Sequence, residues 1–476
     1  MTTVDPQLPL FPPDQLARWS GGAWDGPPTA VRGVSNNGQK MPPGGLYVAI
    51  RGERLDGHDF VAQAAAHGAA AAMVCRDWAQ SPGARASRPQ PSIPVLCVED
   101  TRVALSAMAA AYRRTWRTFV AGVTGSVGKT TTKEFIAACF RAAGPAAATT
   151  GNFNNDIGLP LCLLATPADL PRGIFELGSN HPGEIAALCR VLQPDAAVVT
   201  FVGPAHIEHF GVEAAIAYEK ADLLRAVPAS GFVVLDADGA HFDYLRRQPR
   251  ARVVTVSLTH DDADYFGRVR DAWTGEVELR ERATGRSARL RTGLSGRHHA
   301  TNLLLAVALA RGADVPWEAL SDALQHVQLP PMRWQKSEAN GFTVINDAYN
   351  ANLPAMLGAL RTFAEMPGAP RRVLVLGEMR ELGTAGEAHH REVGRAVAAG
   401  SWQGLVCVGE LARWIADEAI AAGFPAQQVW RYPHAAAAAA DTAAWARPGD
   451  AILVKGSRGM ALERVVAALT GQVMGH

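Results

Sequence analysis

The chain has 476 residues, of which 48% are hydrophobic and 19% are charged. This length and composition predict about three domains with sizeable cores and exclude global disorder. The formal net charge of +1 gives no electrostatic reason to expect nucleic acid or an anionic membrane surface as a partner.

The sequence favours a cytoplasmic protein without a membrane span. Four prolines by position 13 do not fit the basic-then-apolar layout of a signal peptide, and the apolar run 64–74 is too short to cross a bilayer. The cysteines are scattered through apolar runs with no C-x-x-C pair, which is typical of small core residues in a reducing compartment. They are Cys75, Cys97, Cys139, Cys162, Cys189 and Cys407.

Lysine is rare in this chain. Of the 46 basic residues only six are lysines, namely Lys40, Lys129, Lys133, Lys220, Lys336 and Lys455. Arginine therefore serves most ordinary surface positions, and a retained lysine is expected where a compact, titratable amine is needed.

Residues 1–116 predict a small α/β domain. Residues 45–50 alternate as a strand does, and a helix over 102–116 closes the domain. The Pro/Ser/Arg-rich stretch 81–94 is expected to be a loop.

Residues 117–328 and 329–476 predict two further α/β domains. In the first of these, strands alternate with helices, which indicates a parallel sheet with helices on both faces. Its expected strands are 119–123, 173–177, 195–200 and 232–235, followed by shorter strands within 252–294. A linker at 329–333 leads to the last domain, with expected strands at 342–345, 373–376, 405–408 and 451–454 and a helix at 435–440.

A glycine-rich segment, residues 122–132 (Gly-Val-Thr-Gly-Ser-Val-Gly-Lys-Thr-Thr-Thr), lies between a predicted strand and a predicted helix. Such a phosphate loop directs backbone N–H groups at an anion, and the helix N-terminus adds partial positive charge. Lys129 is expected to reach the terminal phosphates and Thr130 to place its hydroxyl on Mg²⁺. The first glycine of the strict motif is replaced by Val123. We predict that ATP or a close relative binds here, through Thr124, Gly125, Ser126, Val127, Gly128, Lys129, Thr130 and Thr131.

Candidate metal ligands follow the next strands. Glu176 ends a predicted strand beside the phosphate loop and either completes a Mg²⁺ site with Thr130 or is an ordinary strand-end carboxylate. Lys220 lies fourteen residues after His206. As an ammonium it would repel a metal, whereas as a carbamate formed with CO₂ it would be an anion. Without further context, a histidine and a lysine at such positions are more often ordinary surface or core groups.

Several asparagines lie in loops. Residues 149–160, the Asn-rich loop, form either a hydrated loop or a neutral hydrogen-bonding clamp near the reacting groups. Residues 296–302 open a predicted helix, and Asn302 within them is a candidate contact for an adenine edge. Residues 346–352 and 455–458 each follow a strand and are candidates for the charged ends of a second ligand.

Taken together, these segments resemble the Mur ligases, the ATP-dependent amide-forming enzymes of peptidoglycan precursor assembly. The similar segments are the phosphate loop, the His206–Lys220 spacing, residues 296–302, Arg333 and the segment around Asp347. Within the family, the sequence is most similar to that of members that add D-alanyl-D-alanine, over residues 151–158, 176–184, 347–352, 377–383 and 453–458. The likeness covers nearly the whole chain.

The resemblance implies three α/β domains: one for a UDP-sugar substrate, a central P-loop ATPase-like domain, and a C-terminal Rossmann-like domain for the incoming amine. It also implies an enzyme, expected to be a monomer, that uses ATP and Mg²⁺. The implied reaction joins D-Ala-D-Ala to UDP-MurNAc-tripeptide through an acyl phosphate, giving UDP-MurNAc-pentapeptide, ADP and phosphate.

The resemblance further implies roles for individual residues. Lys129 would grip the ATP phosphates. Thr130 and Glu176 would hold one Mg²⁺, and His206 with a carbamylated Lys220 would hold a second. The residues implied to contact the nucleotide are Asn302, Arg333 and Asp347, and those near the reacting centre are Asn155 and Lys455. The implied substrate-binding residues are Ser35, Asn154, Asn180, Tyr349, Asn350, Asn352, Ser457 and Arg458.

The chain departs from the family pattern at several places, among them residues 35–40 and Met332. The family usually carries an Asp-Ser/Thr-Arg motif near its uridine site, whereas residues 35–40 here are Ser-Asn-Asn-Gly-Gln-Lys. Met332 stands where glycine commonly precedes the linker arginine. The first departure leaves open a member with weakened activity.

The sequence is also compatible with two different functions. One is that of an amide ligase of the same superfamily, such as a folate-polyglutamylating enzyme, against which the Asn-rich loop and residues 455–458 argue. The second is that of a P-loop ATPase or nucleotide-dependent binding module without ligation, against which the metal-ligand set and the amine-domain motifs argue.

Overall fold

The computed structural model describes residues 8–80, 92–368 and 371–471, so most of the predicted 81–94 loop lies outside the described residues. Three sheets organise the described chain, and we call the parts built on them the first, central and third units. These sheets lie within residues 23–98, 119–291 and 335–455. They fall inside the ranges 1–116, 117–328 and 329–476, which we keep as our domain proposal.

The first unit has a five-stranded sheet. In spatial order its strands are Ala23–Asp25, Val95–Val98, Ala69–Cys75, Gly45–Val48 and Val34–Ser35. All neighbours are parallel except the first pair. A separate antiparallel pair joins Leu10–Phe11 to Val31–Arg32. The helical segments are Pro13–Ser20, Gly57–Phe60, Val61–Ala66, Arg76–Gln80 and Thr101–Arg113.

The central unit has a nine-stranded sheet. Its spatial order is Ser287–Arg291, Glu276–Glu281, Tyr265–Asp271, Arg252–Ser257, Phe232–Asp236, Ala196–Val199, Phe119–Thr124, Arg172–Glu176 and Ala146–Ala148. The strands are parallel except for the last two of the chain, which form an antiparallel extension. The helical segments are Lys129–Ala142, Gly158–Leu164, Glu184–Leu192, Ile207–Phe210, Glu213–Arg225, Phe242–Leu245, Arg297–Gly312, Trp317–Ala319 and Leu320–Gln325.

The middle strands of this sheet are buried on both faces. Ala196 and Val198 pack into one core with the helices Lys129–Ala142 and Arg297–Gly312, whereas Ala197 and Val199 face the other core. Near-continuous apolar strands of this kind are typical of parallel sheets covered by helices on both sides. The predicted α/β fold with a central parallel sheet is confirmed.

The third unit has a six-stranded sheet. Its spatial order is Gln335–Ala339, Phe342–Asp347, Ala451–Lys455, Arg372–Gly377, Gly404–Val408 and Val429–Tyr432. Only the first pair is antiparallel. The helical segments are Leu353–Ala364, Gly383–Ala385, Gly386–Ala398, Arg413–Ala421, Ala426–Gln428, Ala435–Ala440, Thr442–Trp445, Arg458–Met460 and Glu463–Thr470.

The strand Gln335–Ala339 is absent from the sequence prediction. It is polar and mostly exposed, so no apolar periodicity marks it. The two-residue turn that follows does carry a signal, because Asn340 and Gly341 both have positive φ, 52° and 79°. An Asn-Gly pair between two strands is a strong hairpin pattern.

The first and central units share one hydrophobic core. The helix Thr101–Arg113 places Tyr112 in the same cluster as Phe175 of the central sheet, and Arg113 Nε donates to the carbonyl of Leu192 at 2.9 Å. The helix ends three residues before the predicted position 116, but Trp116 stays buried in this core.

All six cysteines lie in the described chain, and each is buried and forms no disulfide there. Over the described ranges, the helices are too short or too polar to cross a membrane.

Candidate active site

The phosphate loop is held open at the start of a helix. The helix Lys129–Ala142 begins after Gly128, whose φ is 91°, and no side chain of the described residues caps it. A Cβ on Gly128 would lie 2.6 Å from Asn302 Oδ1, and one on Gly125 would lie 2.0 Å from Thr200 Oγ1. Both positions therefore require glycine, and the uncapped N–H groups of the first turn face the loop, as phosphate binding needs.

The residues that follow the strand Ala196–Val199 form hydrogen bonds with this loop. Thr200 Oγ1 donates to the carbonyl of Val127 at 2.7 Å. Ser126 N donates to the carbonyl of Phe201 at 2.7 Å, and Ser126 Oγ to that of Gly203 at 2.7 Å. These bonds fix the backbone of the loop by contacts within the protein itself.

Lys129 folds back over the loop. Its Nζ donates to the carbonyl of Gly125 at 2.7 Å. Part of its surface remains accessible, but the cleft desolvates the amine and lowers its pKa; Glu176 opposes this shift and Arg333 adds to it. A polyphosphate in the cleft would supply the negative charge that favours the ammonium.

Thr130 and Glu176 form the oxygen pair predicted for a metal. Thr130 Oγ1 donates to Glu176 Oε2 at 2.8 Å, and Asn154 Nδ2 donates to Oε1 at 2.8 Å. Glu176 is only 2% exposed. Mg²⁺ is usually bound by one or two carboxylates together with substrate phosphates, and the adjacent hydroxyl and carboxylate oxygens fit that requirement.

Lys220 is buried beside Ser179, which lies three residues after Glu176. It is 3% exposed, and its Nζ donates to Ser179 Oγ at 2.5 Å. Burial lowers the pKa of Lys220 to about 7, and the charge of Lys129 adds to the shift. A fraction of the amine is therefore neutral near pH 7, which is the form that reacts with CO₂.

His206 lies between the central and third units. Its backbone is left-handed, with φ 54°, and it begins the short helix Ile207–Phe210. Its Nδ1 contacts the carboxylate of Glu381. The pKa of His206 is lowered, because burial disfavours the charged imidazole more than the carboxylate of Glu381 favours it. A neutral imidazole and a carbamylated Lys220 would together fit a second cation, and an unmodified Lys220 ammonium would not.

The third unit contributes a buried ion pair. Lys455 Nζ lies 2.7 Å from Asp347 Oδ2 and donates to the carbonyl of Asn350 at 3.0 Å. Asp347 Oδ1 also accepts from Trp334 N at 3.1 Å. The Arg333 guanidinium lies 3.9 Å from the centroid of the Tyr349 ring. Asp347 and Lys455 are the last residues of two neighbouring parallel strands, and Arg333 lies just before the strand Gln335–Ala339.

Arg333 is flanked by two strained residues. Met332 and Trp334 have φ values of 66° and 52°. Left-handed backbone costs a non-glycine residue about 1 kcal/mol. The first of these is the position where glycine is common in the resembling family, so this chain accepts strain there.

Asn155 and Asn352 have local partners. Asn155 Oδ1 accepts from Gly158 N at 2.8 Å, at the start of the helix Gly158–Leu164. The residue that contacts Glu176 is instead its neighbour, Asn154. Asn352 caps the helix Leu353–Ala364 through Ala355 N at 3.0 Å. The predicted place of Asn155 near the reacting centre and the predicted substrate contact of Asn352 stay predictions.

Three further predicted substrate contacts also bond locally. Ser457 Oγ accepts from Arg380 N at 3.0 Å, and Arg458 pairs with Glu463. Ser35 Oγ accepts from Asn37 N at 3.1 Å in the first unit.

Asn180 is exposed in the central unit. Its N–H donates to Glu184 Oε2 at 2.7 Å.

The partners of Lys220 and His206 were not predicted from the sequence. Ser179 receives the bond from Lys220, and Glu381 contacts His206. Both lie inside segments that resemble the family, 176–184 and 377–383, but neither pairing has a local signal.

The fold and the site are those of an α/β enzyme with a glycine-rich loop at a helix N-terminus that is suited to phosphate groups. Family models agree over three stretches: "Mur ligase family, catalytic domain" over residues 30–113, "Mur ligase middle domain" over 123–310, and "Mur ligase, glutamate ligase domain" over 332–458. The chain belongs to the Mur ligase family, as the resemblance predicts.

Named relatives match from end to end. The UDP-N-acetylmuramoyl-tripeptide–D-alanyl-D-alanine ligase of Escherichia coli K12 is 34% identical over 460 residues, covering 96% of this chain and 97% of the relative. A crystal structure of MurF from Acinetobacter baumannii is similar with a TM-score of 0.85, at 27% identity and 98% and 100% coverage. The MurF ligase of Thermotoga maritima in complex with ADP has a TM-score of 0.76, at 25% identity and 92% and 97% coverage.

Proposed function

We propose that this chain is an ATP-dependent amide ligase that adds D-alanyl-D-alanine to UDP-N-acetylmuramoyl-tripeptide. The products are the UDP-linked pentapeptide, ADP and phosphate. The observation that carries the proposal is the Thr130–Glu176 pair beside an uncapped phosphate helix, in a chain that matches a ligase of that name over 97% of its length.

The reaction needs activation because a carboxylate does not accept an amine when oxide must leave. In the first step the tripeptide carboxylate attacks the γ-phosphorus of ATP, ADP leaves, and an acyl phosphate forms. In the second step the dipeptide amine attacks the acyl carbon and forms the C–N bond. The C–O bond to the phosphoryl group breaks, phosphate leaves with that oxygen and the bonding electrons, and the amine loses its proton.

The residues of the phosphate loop bind and orient the nucleotide. The N–H groups at the start of the helix Lys129–Ala142 and the Lys129 ammonium face the charge that develops on the phosphoryl oxygens. Thr130 and Glu176 would hold a Mg²⁺, and His206 with carbamylated Lys220 a second; bound there, the metal would neutralise phosphate charge.

The third unit is proposed to receive the dipeptide. Lys455 is 4% exposed in its side chain and is held between Asp347 and the carbonyl of Asn350. A fixed ammonium at this position suits an anionic group of the acceptor or the tetrahedral oxyanion. Arg333 and Asn302 are proposed to contact the nucleotide from the two sides of the cleft.

A cytoplasmic location and a monomeric state complete the proposal. Six buried cysteines, none of them in a disulfide in the described chain, support a reducing compartment.

A phosphate-release assay with each substrate omitted in turn tests the function. We expect release only when ATP, Mg²⁺, the sugar tripeptide and D-Ala-D-Ala are all present. Use of glutamate without use of D-Ala-D-Ala would indicate a different amide ligase. Release without any peptide substrate would indicate an ATPase.

A further inference from the structure

Lys133 is a buried lysine that the proposed mechanism does not use. It is 1% exposed. Its Nζ donates to the carbonyl of Thr149 at 3.0 Å and pairs with the carboxylate of Glu134. A buried ammonium is costly unless its donors are satisfied, so these two oxygens account for its presence.

Lys133 lies one helical turn after Thr130 on the phosphate helix. Residues three apart share a face of a helix, and the two side chains reach neighbouring targets. Thr130 reaches Glu176, and Lys133 reaches Thr149, the first residue of the Asn-rich loop.

Thr149 connects Lys133 to Glu176. Its Oγ1 accepts from the backbone N–H of Glu176 at 2.8 Å, and its own N–H donates to Ile174 at 3.1 Å. Five residues later in the same loop, Asn154 donates to Glu176 Oε1. The loop therefore contacts Glu176 at both its backbone and its carboxylate, and Lys133 holds the loop at its start.

We infer that Lys133 is a positioning residue for the metal-binding carboxylate. By fixing Thr149 it holds the Asn-rich loop against Glu176, so that Glu176 and Thr130 present their oxygens together. The inference rests on the proposed function only in that Glu176 binds the Mg²⁺ that accompanies the nucleotide.

The scarcity of lysine agrees with this role. A guanidinium has five donors in a rigid plane, whereas the surroundings of Lys133 offer it the Thr149 carbonyl and the Glu134 carboxylate. A compact ammonium fits such a site, so arginine is not expected to replace lysine here.

Two readouts test the inference without the sugar or dipeptide substrates. The first is the Mg²⁺ concentration needed for ADP binding, measured by calorimetry. The second is amide hydrogen exchange over residues 149–158. For Lys133→Met we expect a roughly ten-fold or larger rise in the Mg²⁺ requirement and faster exchange in the loop. Lys336→Met is the matched control, because Lys336 is an exposed lysine paired with Glu338.

A second pair of variants separates positioning from general destabilisation. Thr149→Val removes the hydroxyl that accepts from Glu176 N and should reproduce the raised Mg²⁺ requirement. Thr149→Ser keeps the hydroxyl and should restore the wild-type value. This pair decides the matter if Lys133→Met does not fold. A folded Lys133→Met or Thr149→Val protein with wild-type Mg²⁺ dependence and wild-type exchange would overturn the inference. Failure of the proposed function would leave both readouts intact and would appear only in the product assay.

Discussion

The imidazole of His206 contacts the carboxylate of Glu381, although 175 residues separate them in the chain. Both residues have left-handed backbone, with φ values of 54° and 60°. A second bond runs beside this contact, from Glu208 N to the Glu381 carbonyl at 3.4 Å. The third unit is thus joined to the central unit at a proposed metal ligand.

Loss of this contact should loosen the arrangement of the two units. For Glu381→Gln we expect a larger radius of gyration without ligands, measured by small-angle X-ray scattering. A partly exposed pair contributes about 1 kcal/mol at most, roughly a five-fold change in the population of open molecules. Addition of an ATP analogue and sugar substrate should compact both proteins. Glu463→Gln, within the third unit, is the control. Identical scattering of Glu381→Gln and wild type without ligands would contradict the prediction.

Lys129 should be essential for catalysis but not for folding. Its amine bonds only to loop carbonyls in the described contacts, so Lys129→Ala should keep its melting temperature within a few degrees. Loss of a charged donor aimed at the transferring phosphoryl group should lower kcat about 10²–10³-fold. Steady-state phosphate release measures this, with Lys336→Ala as control. Undiminished product formation would refute the assignment of the phosphate loop.

The local parts of this site could be predicted, and the distant pairings could not. A strand, a glycine-rich turn and a helix follow one another in sequence, so residues 122–132 specify the phosphate loop by themselves. The roles of the adjacent Asn154 and Asn155 could not be predicted from the sequence. Which of the two side chains bonds to the start of the helix depends on where that helix begins, at Gly158.

Lys220 lies on the helix Glu213–Arg225. The preceding residue, Glu219, accepts from Ile185 N at 2.7 Å at the start of the helix Glu184–Leu192. The contact of Lys220 with Ser179 therefore depends on how these two helices pack. Nothing local in the sequence reports that packing. The polar strand Gln335–Ala339 was not predicted for a related reason. Its position is set by pairing with Phe342–Asp347 rather than by its own composition.

Lys220 should carry a carbamate in the active enzyme. A neutral amine adds CO₂ to give a carbamate and releases one proton, and burial keeps part of Lys220 neutral at pH 7. With ¹³C-bicarbonate we expect a carbamate resonance that disappears in Lys220→Ala. The variant should lose most activity and regain part of it with added formate or acetate. An unmodified Lys220 in fully active enzyme would rule out this role.

The lowered pKa of Lys220 also predicts a pH dependence of stability in CO₂-free buffer. Its pKa is about 7 in the folded chain and about 10.5 when unfolded. Between these values the unfolded state binds more protons, so this residue's contribution to the free energy of unfolding rises with pH. Below pH 7 the cost of burying the charge is present in full. Relative to Lys220→Met, wild type should gain up to about 3 kcal/mol between pH 7 and 9. Denaturant unfolding measures the difference, and a pH-independent gap would show that the amine is solvated.

The stretch 35–40 offers a direct test of how the sugar nucleotide is bound. In the structure Asn37 Oδ1 accepts from Gln39 N at 2.9 Å, and Ser35 Oγ accepts from Asn37 N at 3.1 Å. An aspartate at position 37 keeps the same acceptor, so the turn should survive Asn37→Asp combined with Gln39→Arg. This double variant supplies the acid and the arginine that the family usually carries near the uridine.

If residues 35–40 contact the uridine nucleotide, the double variant should lower KM for the sugar tripeptide several-fold. One charged hydrogen bond contributes about 1.5–3 kcal/mol, and the lower end of this range corresponds to a roughly ten-fold gain in affinity for the sugar substrate. The KM values for ATP and for D-Ala-D-Ala should not change, because the turn lies in the first unit and the phosphate loop in the central one. Gln39→Arg alone is the control for added positive charge. An unchanged KM for the sugar substrate in the folded double variant would mean that the uridine is bound elsewhere in the first unit, and that the departure of this stretch from the family pattern does not weaken the enzyme.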